Sequence, residues 1–285
     1  MKKILAILLV AMLFIGCGTS RPLNPRYINS PASFSPAFFK EKGDAKISLD
    51  VAVDPTQIGG SKRPRDKSSG VGTQAAYAIT DHFFMTAGWL ARNETDYYFD
   101  NDITGSKTPS TIEYKRRNLD IGIGYYGALN EKRSVFFNGT IGFAVGNARS
   151  LLLDDDTRES YFFNGRVNKF YINPSIQFFF SPYFRMALLP KFSLLRYNNF
   201  NTNYSEGSAE HVGFSQLYDH SFVFGEPSLA FQWGFKKAKG LKLDAGLNFT
   251  STPDLKSPNF FGNDGLNSRW FLFSLGFSIY PQKRK

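Results

Sequence analysis

The densest group of reactive side chains lies between His211 and Ser221. There His211, Ser215, Asp219, His220 and Ser221 supply the residue types of a hydrolytic site, in which a histidine takes the serine proton and a carboxylate orients the ring. The spacing follows no motif, so these are read as polar residues of a loop. Asp154-Asp155-Asp156 offers oxygens to a divalent cation, but the glycine and distal glutamate of a calcium loop are missing. Lys62-Arg63-Pro64-Arg65 has the charge to meet phosphate. Both are read as solvated loops, and His82 beside Asp81 as turn chemistry. With a single cysteine, Cys17, a disulfide framework and a cysteine zinc site are excluded within one chain, and three histidines disfavour a histidine metal site. No metal, no cofactor and no catalysis are expected.

What surrounds these residues is more informative. The chain has 285 residues, 16% aromatic and 20% charged, a composition that excludes disorder. Lys2 and Lys3 precede an unbroken apolar run from Ile4 to Ile15, too short for a membrane-spanning helix but right for a secretory signal. Leu13-Phe14-Ile15-Gly16-Cys17 resembles a bacterial lipobox, with Phe14 where leucine is usual. That resemblance implies cleavage before Cys17 and acyl chains on it, hence a palmitate-labelled lipoprotein. The expected layout is a signal peptide over 1–16, a lipidated Pro/Ser/Asn-rich tether over 17–44, a β domain over 45–281 and a basic tail over 282–285.

From Ala45 onward the apolar period is two. Ile47, Leu49, Val51 and Val53 alternate with Lys46, Ser48, Asp50 and Ala52. Leu119, Ile121, Ile123 and Tyr125 alternate with Asn118, Asp120, Gly122 and Gly124. Ten such segments are expected, near 45–54, 70–80, 83–92, 112–127, 134–148, 162–180, 184–197, 221–234, 241–251 and 268–280. Their connections alternate between short turns (81–82, 129–133, 181–183, 235–240) and long loops (55–69, 93–111, 149–161, 198–220, 252–267). This predicts an all-β fold, a transmembrane antiparallel up-and-down barrel of about ten strands with both termini on the periplasmic side. Aromatics at strand ends are expected to form girdles: Tyr125, Tyr126, Phe178 to Phe180, Tyr183, Trp233 and Phe235 at the short-turn end, Trp89, Tyr197 and Trp270 at the other.

The chain resembles the outer-membrane β-barrel proteins of Bacteroidota. The resemblance rests on Pro36-Ala37-Phe38-Phe39-Lys40-Glu41-Lys42-Gly43-Asp44 before the first strand, and on Gln74-Ala75-Ala76-Tyr77-Ala78-Ile79-Thr80-Asp81-His82 joining strands two and three. It implies the barrel layout and the bacterial outer membrane, with no shared chemistry.

The inward phase carries Lys46, Asp50, Arg116, Asp120, Lys169, Arg185, Lys191, Glu226, Lys242 and Asp244. Charges are costly toward lipid and can pair in a lumen, so a paired interior network and a plugged or very narrow lumen are expected. The tether, short turns and C-terminus hold 12 basic and 4 acidic residues, the long loops 11 and 15. A basic collar of this kind suits anionic headgroups. The expected partners are outer-membrane lipids, lipopolysaccharide, the barrel-assembly machinery and an extracellular ligand met by Tyr97-Tyr98-Phe99, Phe200, Tyr204 and Phe260-Phe261. Nucleic acid is not expected, because the basic residues are dispersed. The expected role is structural or surface-interacting; the alternatives are a narrow channel with a charged lumen and a rim-located lipid-modifying enzyme.

Overall fold

Period-two alternation gives every strand one face for the outside and one for an enclosed interior. In the computed structural model it produces ten antiparallel strands: β1 (Ala45–Val53), β2 (Lys67–Ala78), β3 (Phe83–Asp100), β4 (Thr108–Ala128), β5 (Val135–Asp154), β6 (Ser160–Ser181), β7 (Phe184–Thr202), β8 (Ser221–Gly234), β9 (Leu241–Phe249) and β10 (Phe271–Ile279). The structure describes residues 36–53, 67–100, 108–154, 159–205, 221–238, 240–250 and 271–281. Each strand pairs with its chain neighbours, and β1 closes the barrel on β10 from Ile47↔Ile279 to Val53↔Phe273.

The outside is apolar. Ile121 and Ile123 are 65% and 68% exposed, and Ile47, Leu49, Val51, Leu119, Ile141, Phe143, Phe170, Ile172, Phe192, Leu275 and Phe277 continue the surface around the barrel. The inside is mostly polar: Lys46, Ser48, Asp50, Thr86, Asn138, Thr140, Lys169, Asn173, Ser175, Gln177, Ser193, Glu226, Ser228, Gln232, Asp244, Asn248, Ser274 and Ser278 are all buried. This inverts the usual soluble arrangement and separates the fold from a β-sandwich, whose apolar residues would face each other.

All strands are flush at the end that carries the short connections 79–82, 129–134, 182–183 and 235–240. Local side-chain bonds tie these turns. The Thr80 hydroxyl accepts from the backbone N–H groups of His82 (3.2 Å) and Phe83 (2.9 Å), and the Asn130 Oδ1 accepts from those of Ser134 (2.9 Å) and Val135 (3.1 Å). His82 stacks on Tyr125 with ring centroids 5.7 Å apart.

The opposite end is uneven. β1, β9 and β10 have 9 residues each, whereas β6 has 22 and β4 has 21. At ~3.3 Å per residue that is ~30 Å against ~70 Å of strand. The expected segments for β3 to β7 fall short at this end: β3 reaches Asp100 rather than residue 92, and β4 starts at Thr108 rather than 112. The physical reason is that ladder bonding does not stop where the apolar phase stops. Asp96 pairs with Ile112 and Tyr97 with Thr111, so residues expected in a long loop continue the wall.

Three residues assigned to the aromatic girdles face inward instead. Tyr126, Phe179 and Tyr197 are buried, while Tyr125, Phe180, Tyr183, Trp233 and Phe235 are exposed at the short-turn end. Trp270 lies outside the described residues.

Candidate functional site in the barrel lumen

Strand parity aims the inward side chains at one another, and the lumen arranges them in tiers. At mid-height, Lys169 Nζ lies 2.8 Å from Glu226 Oε2 and Lys191 Nζ 3.7 Å from the same oxygen, while the Ser193 hydroxyl donates to Glu226. Tyr171 donates its hydroxyl to Asp120 Oδ1 at 3.2 Å. Lys46 lies 3.8 Å from Asp244, and Gln232 Nε2 donates to Asp244 Oδ1 at 2.8 Å. Asp50 is buried on the same face of β1 as Lys46. Toward the long-loop end, Glu94 lies between Arg92 (2.6 Å) and Arg116 (3.0 Å), beside Ser68. Lys242 and Arg185 belong to the short-turn tier, where Arg185 Nη1 donates to Gln232 Oε1 at 3.4 Å.

Lys169, Lys191 and Glu226 are thus brought together, as are Lys46 and Asp244. Arg92, at the end of the expected strand 83–92, and Glu94, in the expected loop 93–111, also face the interior. Parity from Phe84 through Thr86 and Gly88 points Arg92 inward, and would have done the same for Glu94 had the strand been continued past residue 92.

The short-turn end holds the most consequential departure. Residues 36–44, expected as part of an extended tether, enter the barrel mouth. Ala37, Phe38 and Phe39 are buried, and Phe39 is 1% exposed. Phe39 meets Phe84 and Tyr126 edge-on at 5.6 and 5.9 Å, and Phe38 meets Phe179 at 5.7 Å. The wall makes room: a Cβ on Gly124 would collide with the Phe84 ring, so glycine there leaves space for the ring that Phe39 packs against.

The segment's backbone is read as closely as its rings. The Pro36 carbonyl accepts from Lys46 Nζ at 2.9 Å, and the Ala37 carbonyl from Gln177 (3.1 Å) and Asn138 (3.4 Å). Farther out, the Lys40 carbonyl accepts from Arg133. Asp44 Oδ2 accepts from the N–H groups of Lys40 (2.9 Å) and Glu41 (3.2 Å), and Asp81 accepts from the N–H of Lys42 at 3.0 Å. Gly43 turns the chain into β1 at φ 80° while donating to the Ala78 carbonyl. An L side chain in that region costs ~1–2 kcal/mol. Gly43→Val is expected to loosen the segment by about that amount, read as faster tryptic cleavage at Lys40 and Lys42 with the strand ladders unchanged by amide exchange.

Cations frame the rings. Arg185 lies 5.0 Å from the Phe179 ring centroid, 5.8 Å from that of Phe38 and 5.6 Å from that of Tyr280; Lys40 lies 4.6 Å from that of Phe179. Burial, then the guanidinium groups of Arg185 and Arg133, lower the Lys40 pKa from its usual value. A base whose pKa falls on docking binds fewer protons when docked. The seated segment is therefore expected to hold more firmly as pH rises toward 10.

Above the polar tier, Phe163, Val167, Leu195, Tyr197, Phe224 and Ala148 form an apolar cluster with Phe200 and Tyr204 packed against it. Phe200 and Tyr204, expected to meet an extracellular ligand, are partly buried against this cluster. Tyr97, Tyr98 and Phe99 sit on the extended part of β3, and Phe260-Phe261 lie outside the described residues.

Among the described residues no three His, Cys, Asp or Glu side chains converge to hold a metal ion. Of the rim candidates, Ser221 opens β8 and Asp154 closes β5. Lys62 to Arg65, Asp155, Asp156, His211, Ser215, Asp219, His220 and Cys17 lie outside the described residues.

No protein-family model matches this sequence, and no curated protein does. Solved barrels are similar in fold. The translocator domain of the autotransporter NalP from Neisseria meningitidis has a TM-score of 0.45 at 10% identity, over 84% of this chain and 88% of that one. The outer membrane protease OmpT from Escherichia coli has 0.43 at 10%, over 84% and 94%. The transport unit of the autotransporter AIDA-I from Escherichia coli has 0.41 at 9%, over 88% and 93%. One of these barrels is a protease, and this corrects the expectation that the chain is not an enzyme: a barrel architecture is no ground for denying catalysis. What the likenesses share with this chain is the fold, a closed antiparallel β-barrel.

Proposed function

We propose that this is an outer-membrane barrel lipoprotein of the Bacteroidota type, anchored by lipid on Cys17, which closes its own lumen and presents its tall wall and long loops at the cell surface. The observation that carries the reading is the continuous apolar exterior around a polar, occupied interior. Only lipid makes such an exterior favourable, because an exposed apolar surface of this extent in water would drive aggregation. The geometry supports a bilayer in a second way. Nine residues tilted at ~40° rise ~23 Å, close to the ~25 Å apolar band of an outer membrane, so the shortest strands span it and β3 to β7 continue beyond. Residues 40–44, which lead into β1, and residue 281, which follows β10, lie at the short-turn end, on the periplasmic side in this reading. Lys132, Arg133, Lys236 and Lys237 are exposed in the turns there and suit anionic headgroups.

The test is a cold detergent gel of membrane-extracted protein with a palmitate label. A compact, labelled band that shifts on boiling supports the reading. A carbonate-extractable species that does not shift overturns the membrane assignment, and a shifting band without label overturns the anchor alone. Ile121→Arg places a cation on the mid-height exterior, where it is expected to cost ~2–4 kcal/mol in the bilayer. Urea unfolding in vesicles checks this. A loss below that of Ile121→Ala would count against lipid contact.

A further inference from the structure

We infer that the outer face of β4 to β7 holds a lipid of the outer leaflet whose headgroup carries more than one phosphate. This rests on the membrane-spanning reading above. The outward run of apolar residues stops at Leu119 on β4, Val145 on β5, Phe170 on β6 and Leu194 on β7, all exposed. Two or four positions farther along, toward the long loops, the same parity presents Arg117, Lys115, Arg149, Arg166 and Arg196, all exposed. At ~3.3 Å per residue and ~40° of tilt, these bases stand ~5–10 Å above the apolar belt. The headgroup layer of one leaflet is ~5–8 Å thick, so their side chains lie at headgroup depth.

The ladder gathers these bases into one patch. Lys115 stands directly opposite Arg149, and Asn147 has Arg117 on one side and Arg166 on the other. Arg196 pairs with Asn168, two positions from Arg166 on the same face of β6. Like charges set side by side across a sheet repel, and an anion between them relieves the repulsion. The lumen shows this solution: Arg92 stands opposite Arg116, and Glu94 meets both, at 2.6 and 3.0 Å. Outside, the one acid of the band among the described residues is Glu113, 3.2 Å from Lys115. Both partners of that pair are well exposed, so it does little to neutralise the patch.

The composition of the patch favours phosphate. Four of its five bases are arginine, whose planar fork matches phosphate oxygens two at a time. Its width favours more than one phosphate. Four strands span ~14 Å at ~4.8 Å per step, more than a single phosphate can cover. Its place favours a lipid, because Leu119, Val145, Phe170 and Leu194 directly below offer a surface to acyl chains while the arginines hold the headgroup.

The experiment reconstitutes the full chain in phosphatidylcholine vesicles doped in parallel with diphosphoryl lipid A, monophosphoryl lipid A or phosphatidylglycerol. Flotation after a carbonate wash reports insertion. Extraction into a mild neutral detergent and native mass spectrometry then measure the lipid retained. Diphosphoryl lipid A is expected to be retained about tenfold or more above each of the other two. Retention of either within that margin overturns the proposal. Arg149→Gln/Arg166→Gln removes two charges and is expected to cut retention of diphosphoryl lipid A about tenfold or more. A smaller loss overturns the proposal, as does an equal loss in Lys236→Gln/Lys237→Gln at the short-turn end. If Arg149→Gln/Arg166→Gln does not float, the native chain is washed in about 0.5 M salt, where screening is expected to cut retention about fivefold or more. Unchanged retention there overturns the proposal. A native chain that does not float overturns the membrane reading itself.

Discussion

Phe39→Ala is expected to release residues 36–44 from the barrel mouth and raise tryptic cleavage at Lys40 and Lys42 by up to ~100-fold. The ring is fully buried between Phe84 and Tyr126, and truncating a buried phenylalanine costs ~3–5 kcal/mol. The loss has a ceiling. The segment can leave without unfolding any strand, so the variant cannot lose more than the docking free energy of the segment itself. Cleavage tracks the undocked population when docking is fast, and ~3 kcal/mol changes that population by about two decades. The strand ladders should keep their amide-exchange protection, which separates undocking from general destabilisation. The same variant tests the lumen. The native barrel is expected to be silent in planar bilayers, and openings that appear only in Phe39→Ala would mark the segment as its plug. Unchanged cleavage would show that the carbonyl contacts from Lys46, Asn138 and Gln177 hold the segment without the ring.

Glu226→Gln is the second large effect, expected to cost about 3–5 kcal/mol. Glu226 is 3% exposed and receives Lys169 at 2.8 Å, Lys191 at 3.7 Å and the Ser193 hydroxyl. Removing one partner of a buried ion pair leaves the other's charge unbalanced, and here it leaves two cations facing each other. Glutamine keeps the shape, so the loss reports charge rather than a cavity. Removing all three charges, as in Lys169→Met/Lys191→Met/Glu226→Leu, is expected to recover most of the stability, because it also removes the desolvation penalty of every ion. The midpoint of urea unfolding in micelles, read from the heat-shifted band, checks both variants. A loss under ~1 kcal/mol for Glu226→Gln would mean water reaches this tier and screens it.

Several features are legible in the order of residues. Parity alone separates Ile121 and Ile123, which face outward, from Gly122 and Gly124, which face inward, because successive side chains leave a strand on opposite sides. The alternation of short and long connections gives an even, up-and-down order, and that order leads to closure of β1 on β10. Parity also places Lys46, Asp120, Lys169, Lys191, Glu226 and Asp244 on the interior side. It does not say which of them meet, since partners such as Lys169 and Glu226 lie 57 positions apart and sit on strands that are not adjacent.

The extent of β3 to β7 was less readable, because polar residues that pair in a ladder have the composition of a loop. Tyr97 is an example, paired with Thr111 well beyond the apolar belt. Tyr126, Phe179 and Tyr197 misled for a related reason: an aromatic near a strand end suits both a headgroup girdle and a packed lumen, and only its parity in the completed strand decides between them.

Residue order, then, was enough to specify the barrel, its inside and its outside, because these depend on local period and on connection length. The seated 36–44 segment came only with the tertiary structure. Pro-Ala-Phe-Phe ahead of a strand has no periodicity to read, and its burial depends on Phe84, Tyr126 and Phe179 arriving from three different strands.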